Sequence, residues 1–148
     1  MTTYRFLLRQ FTNNDLENVY KGLSHPEVIK YYGISYNSLE ETKAQMSWFS
    51  QLEKEETGIW WAIESVESQE FCGAIGFNNL DKQHKRAEIG FWLLPEFWGK
   101  GIMKEVRFWN RSLLQSEIID GFNKVYTNTT PNLIGYWRLN ATSGQLIT

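Results

Sequence analysis

The chain of 148 residues is short of most groups that would assign a chemistry at once. It holds one cysteine, two histidines and three prolines. A lone Cys72 cannot close an intrachain disulfide, and its apolar surroundings mark it as a small buried hydrophobe. His25 and His84 lie far apart in polar stretches, without metal-ligand spacing, so no metal is expected. Neither sign of charge dominates. Fifteen basic residues face seventeen acidic ones for a net charge of -2, which leaves no basic footprint for nucleic acid. No apolar run approaches the roughly 20 residues of a membrane helix. The opening residues 1–5 lack the apolar stretch of a signal peptide, so a cytoplasmic protein is expected, with no membrane partner. Aromatic residues, by contrast, are plentiful. Seven Trp, seven Tyr and nine Phe supply the material of a core in a chain of one-domain size.

The order of elements follows from local patterns. Residues 4–11 are apolar and aromatic and predict a strand. Thr12-Asn13-Asn14-Asp15 has the spacing of a capping box, and Leu16, Val19, Tyr20 and Leu23 follow at helical spacing until His25-Pro26 breaks the run. Ser38-Leu39-Glu40-Glu41 is a second capping box. The helix it opens carries a stripe of Leu39, Met46, Phe49 and Leu52 and ends near Gly58. Residues 59–66, 71–80 and 86–94 read as three strands joined by polar turns, an antiparallel meander. Pro95 and the pair Gly99/Gly101 then lead into a helix predicted to start at Ile102. Beyond Val106 a third capping box, Ser112-Leu113-Leu114-Gln115, predicts a short helix ending near Gly121. Residues 124–130 and 135–139 are candidate strands. The fold class is therefore α+β, with helices on a mainly antiparallel sheet.

One loop carries candidate chemistry. In residues 89–105, IGFWLLPEFWGKGIMKE, an apolar strand runs into two glycines that open the predicted helix. A helix N-terminus presents free N–H groups and a positive dipole end to an anion. Gly99 and Gly101 admit a close backbone approach, and Lys100 adds a cation. Residue chemistry alone leaves two readings, a phosphate cradle or a tight strand-to-helix turn.

This run resembles the acetyl-CoA-binding motif of the GNAT acetyltransferases, and most of all the branch that acetylates the N-termini of ribosomal proteins. Trp98 stands in the motif's first place and Gly101 in its central glycine place, while Met103 replaces the usual small last residue. Three upstream stretches agree in order: Leu8-Arg9-Gln10-Phe11 with Asp15, Gly73-Ala74-Ile75-Gly76, and Ala87-Glu88-Ile89-Gly90-Phe91-Trp92-Leu93. The resemblance covers residues 4–106. It implies a GNAT-like mixed, mainly antiparallel sheet flanked by helices, and direct transfer of acetyl from acetyl-CoA to a primary amine of a peptide or small molecule. Pantetheine would lie on the backbone of Trp92, Leu93 and Leu94, and the pyrophosphate on the amides of Gly99, Lys100, Gly101, Ile102 and Met103, with Trp98 opening this cofactor-binding loop. An N–H near Leu93 would hold the oxyanion. Glu88 would serve as base and Tyr136 as acid. Tyr31, Tyr32 and Trp60 would line the acceptor pocket, with core or surface packing as the alternative for each.

The tail departs from the GNAT pattern. Residues 106–118, VRFWNRSLLQSEI, and residues 133–144, LIGYWRLNATSG, resemble edge segments of the laminin-G/concanavalin-like β-sandwich family. The chain therefore divides into residues 1–105, GNAT-like, and an atypical C-terminal segment, 106–148, that completes the same domain or is appended to it. The composite pattern implies a chimera. It raises two alternatives to an active enzyme: a catalytically impaired GNAT fold, and a non-enzymatic binding module. Without a fifth strand the fourth keeps an open edge, through which two copies would pair as a homodimer.

Overall fold

The computed structural model describes residues 5–84, 86–102, 105–109, 111, 113–121, 124 and 130–138. They fall into two compact units, Met1–Trp98 and Gly99–Thr148.

The first unit opens with β1 (Phe6–Arg9), followed by a single 3-10 turn over Asn13–Asp15. The predicted capping box forms: the Asp15 carboxylate accepts the Thr12 N–H at 2.8 Å. The same carboxylate takes both Arg9 nitrogens, each at 2.8 Å, and Arg9 Nε donates to Glu64 at 2.6 Å. Asp15 is thus a buried acid that is fully engaged. Helix α1 (Leu16–Leu23) buries Val19 and Leu23, one turn apart. Pro26 does not merely end α1. It occupies the first turn of a new short helix, α2 (Pro26–Ile29), where its missing N–H costs nothing, and the His25 ring accepts the Glu27 N–H at 3.2 Å. Helix α3 (Leu39–Lys54) is capped by Ser38 Oγ, which accepts the Glu41 N–H. Its buried stripe is Thr42, Gln45, Phe49 and Leu52. The predicted Leu39 is exposed instead, and Met46 is only half-buried, because the stripe begins one turn further in.

Strands β2 (Ile59–Ser65), β3 (Phe71–Asp81) and β4 (Arg86–Leu93) form the predicted meander. With β1 they make a four-stranded antiparallel sheet of order β1-β2-β3-β4. Two cross-strand rows explain its packing. In one, Trp60, Gly76 and Gly90 stand side by side. The Trp60 ring lies flat over both glycines: a Cβ at Gly76 would come within 2.3 Å of its Cγ, and one at Gly90 within 2.6 Å of its Cη2. In the next row, Ala62 and Ala74 leave room for Trp92. Trp92 reaches α1 at Gly22, where a Cβ would fall 2.1 Å from Cζ3. The core is completed by Phe49 packed on Trp60 at 5.5 Å between centroids, and Phe71 on Trp92 at 5.8 Å. Gly22→Ala should therefore destabilise the protein by about 2 kcal/mol, the usual cost of overpacking, despite alanine's better helix propensity. Urea unfolding checks this, and a stabilised variant would show that Trp92 yields freely.

The second unit contains β5 (Glu105–Trp109), α4 (Gln115–Gly121) and β6 (Leu133–Arg138). Here the structure corrects the sequence reading. The glycine loop does not open a helix at Ile102, because residues 105–109 pair antiparallel with 133–138 as a separate two-stranded sheet. Val106, Phe108 and Trp109 are β-branched or aromatic, and they suit a pleated surface once a partner strand exists. Helix α4 starts at Gln115 rather than after Ser112, which lies outside the described residues. Its capping acid is Glu117, which accepts the Leu114 N–H at 2.8 Å and is gripped by both Arg111 nitrogens. The Arg111 guanidinium, then the Leu114 N–H, hold the Glu117 carboxyl down at about 2. The candidate strand at 124–130 falls mostly outside the described residues. Among the described residues, no helix is long and apolar enough to cross a membrane.

Candidate functional site

An apolar cavity of about 220 Å³ opens in the first unit between α2 and the C-terminal end of β4. Tyr31 and Tyr32 line one side, Trp92, Leu93 and Trp98 the other, and Val28 is among its apolar residues. Five residues singled out from sequence, for two different roles, thus meet at one place. Tyr32 is half-buried, and burial pushes its hydroxyl well above the ordinary tyrosine range, so it stays a neutral phenol. Trp60 does not line the cavity. It is a core residue that supports Tyr32 from behind, edge to face at 6.5 Å.

Backbone geometry at the end of β4 sets what this edge can bind. The Leu94 N–H donates to Cys72 O at 2.9 Å, so Leu94 cannot offer its N–H to a ligand as the sequence reading supposed. In an antiparallel ladder, hydrogen-bonded and non-hydrogen-bonded pairs alternate. Leu93, facing Gly73, is therefore a non-bonded position whose N–H and C=O point away from β3, and Phe91 repeats the arrangement two residues earlier. The Leu93 carbonyl is already taken, by Trp98 Nε1 at 2.8 Å. The outward Leu93 N–H and the Phe91 backbone pair are what the edge presents, since β4 is the last strand of its sheet. The indole N–H groups of Trp60 and Trp92 are buried and have no partner among the described residues.

Glu88 lies elsewhere. It is exposed, accepts from Asn78 Nδ2 at 3.1 Å, and lines an open polar hollow of about 870 Å³ at the β3–β4 turn with Glu55, Glu56, Asp81, Lys82 and Arg86. Five residues of strand separate it from Leu93, about 17 Å. That hollow is the larger of the two, but it is walled by exposed charged side chains already paired with one another, Lys82 with Glu56 and Arg86 with Asp81. The apolar cavity is the better binding site for this reason.

Residues 99–102 open the second unit. Gly99 and Gly101 have φ of 71° and 68°, a left-handed backbone in which glycine is favoured, and Lys100 is exposed. Met103 is outside the described residues. Tyr136 sits on β6 opposite Arg107. No group of three or more potential metal-ligating side chains occurs among the described residues. Sequence reasoning missed Glu27, Val28 and Phe91, which also line the cavity. Phe91 lay inside the strand motif, one residue before the span assigned to pantetheine, and the alternation of the ladder was the signal that would have found it.

Comparison with known proteins bears on this geometry. The family description "Acetyltransferase (GNAT) domain" matches residues 5–132. The uncharacterized N-acetyltransferase YoaA of Bacillus subtilis (strain 168) is 39% identical over 107 residues, 72% of this chain and 60% of that protein. The uncharacterized N-acetyltransferase p20 of Bacillus licheniformis is 32% identical over 104 residues, 70% of this chain and 58% of that one. The chain thus spans about three-fifths of the length of the curated relatives it matches. Among solved structures, spermidine N-acetyltransferase from Vibrio cholerae in complex with CoA and spermine superposes with a TM-score of 0.56 at 18% identity, covering 65% of this chain and 55% of that one. That likeness shows the α+β fold of a mainly antiparallel sheet flanked by helices. The family match over most of the sequence, with the relatives' identity, establishes that this chain belongs to the GNAT acetyltransferase family.

Proposed function

We propose that the protein is an acetyl-CoA-dependent N-acetyltransferase that moves acetyl directly to a primary amine. The observation that carries this reading is the outward Leu93 N–H at the mouth of an apolar cavity, on a terminal strand whose neighbouring carbonyl is closed off by Trp98. The amine nitrogen would attack the thioester carbon, the C–S bond would break, and CoA would leave as the thiol with the proton the amine gives up. A fixed N–H aimed at the developing oxyanion stabilises that step in a site with little water. Pantetheine would take the backbone groups of Phe91, and the sequence motif assigns the pyrophosphate to residues 99–103. Glu88, about 17 Å along the strand from Leu93, is beyond the reach of one bridging water and could serve as base only through a chain of several. Tyr136 is assigned as acid on the resemblance alone. The same strand edge would carry pairing between two copies, so cofactor and dimerisation would compete for it.

A charge test at Gly101 separates electrostatics from backbone strain. Asn and Asp both tolerate a left-handed φ and are nearly the same size. By calorimetry, Gly101→Asn should bind acetyl-CoA close to wild type, and Gly101→Asp at least tenfold more weakly, because a carboxylate would face the pyrophosphate. Equal affinities would remove the pyrophosphate from this loop, and a folded wild type that binds no acetyl-CoA would overturn the cofactor reading.

A further inference from the structure

The cavity has one feature that the acetyl-transfer reading does not use. Its lining is aliphatic and aromatic except for a single carboxylate, Glu27. Glu27 sits in the first turn of α2, placed by Pro26 and by the bond from its N–H to the His25 ring. Most other acids of this unit are engaged: Glu64 with Arg9, Glu96 with Lys21, Glu56 with Lys82, Glu41 with the Asn37 N–H. Among the described residues, no side chain forms an ion pair with Glu27. The Lys30 ammonium, 5.3 Å over the Tyr31 ring, is near enough to feel the Glu27 charge without forming an ion pair. A carboxylate without a close ion-pair partner, beside the rings of Tyr32, Phe91 and Trp98, is the donor set for an organic ammonium, which the carboxylate attracts by charge and the ring faces by their quadrupoles.

We propose that this cavity is the acceptor site, and that it takes a monocationic primary amine borne on a flat apolar group, with Glu27 recognising the ammonium; before transfer that nitrogen gives one proton to solvent and attacks as the neutral amine. The assignment rests on the acetyltransferase reading for its role, but not for its binding chemistry. A volume of about 220 Å³ is below the roughly 300 Å³ at which pockets for drug-sized ligands begin, so the part of the ligand held inside is no larger than one or two rings. A single carboxylate gives a second ammonium nothing to pair with, so a linear diamine gains nothing here.

The test is calorimetry on the full chain with three probes: 2-phenylethylamine, its neutral counterpart 2-phenylethanol, and cadaverine. Wild type should bind 2-phenylethylamine more tightly than either of the others. Glu27→Gln, at an exposed position that should not disturb folding, should weaken 2-phenylethylamine about fivefold and leave 2-phenylethanol unchanged. Tyr32→Leu should weaken both aromatic probes. Equal binding of the amine by wild type and Glu27→Gln would overturn the proposal, as would tighter binding of cadaverine or binding of none of the probes. Acetyl transfer from acetyl-CoA to 2-phenylethylamine is scored separately. The expected binding pattern without transfer would uphold the amine-binding chemistry of the cavity and overturn its role as the acceptor site.

Discussion

Trp60→Ala is expected to lower the unfolding free energy by about 4 kcal/mol, within the range for deleting a large buried aromatic. The loss should be near the upper part of that range, because the site cannot collapse. Gly76 and Gly90 lie beneath the ring, and neither carries a side chain that could move into the space. Phe49 and Trp48 would lose their packing surface, and Tyr32 its edge-on neighbour. Since small domains are stable by only about 5–15 kcal/mol, the variant should unfold at markedly lower urea concentration. Trp60→Phe should recover about half the loss, as it keeps a ring over the glycines and removes the buried unpaired indole N–H. A Trp60→Ala variant with a midpoint near wild type would mean that the row of glycines is not held by the indole.

Asp15→Ala is expected to cost roughly 3 kcal/mol, the lower end for stripping one partner from a buried ion pair. Arg9 is 27% exposed and keeps Glu64, which limits the damage, but the Thr12 N–H loses its capping acceptor. The effect should depend on pH in one direction. Burial pushes the Asp15 carboxyl up, but the Arg9 and Thr12 hydrogen bonds and the Arg9 charge together outweigh it and hold the folded value below the ordinary one. A depressed folded value means that the unfolded chain takes up protons first as pH falls. The stabilisation from Asp15 is therefore complete above the unfolded value of about 4 and is lost below it, as pH drops through the folded value. The wild-type and Asp15→Ala midpoints, well separated at pH 7, should converge below about pH 4. A gap that does not narrow between pH 4 and pH 2 would show that the carboxylate's charge is not what matters.

Much of the first unit was legible because its signals are local. The Thr12/Asp15 box, the Ser38 cap and the alternating strands of the meander each depend on residues within a few positions of one another. The resemblance added the order of elements and pointed to the end of β4. What escaped depended on partners far away or on hydrogen-bond parity. The helix expected after Ile102 was extrapolated from a glycine loop, while the strand at 105–109 is decided by its pairing with 133–138. That Leu93 rather than Leu94 turns its N–H outward is a property of the ladder, invisible in two adjacent leucines. Glu27 looked like any acid in the first turn of a helix, where the helix dipole favours one anyway. Glu88 was chosen for its place in a motif, and only the fold puts it in a different hollow from Tyr31 and Tyr32.

The position of β1 in the sheet has a consequence for how the chain assembles. Strands β2, β3 and β4 are joined by short turns and pair with their neighbours in sequence, whereas β1 pairs with β2 across three helices, and Arg9 meets Glu64 at a separation of 55 residues. Closing a loop of that length costs entropy before any contact returns it, so the three-stranded meander is the cheaper nucleus and β1 joins it late. The contact of Arg9 with Glu64 should then form after the rate-limiting step, unlike that with Asp15, which is six residues away. The Arg9–Glu64 contact sets how slowly the finished sheet comes apart, with little influence on how fast it forms.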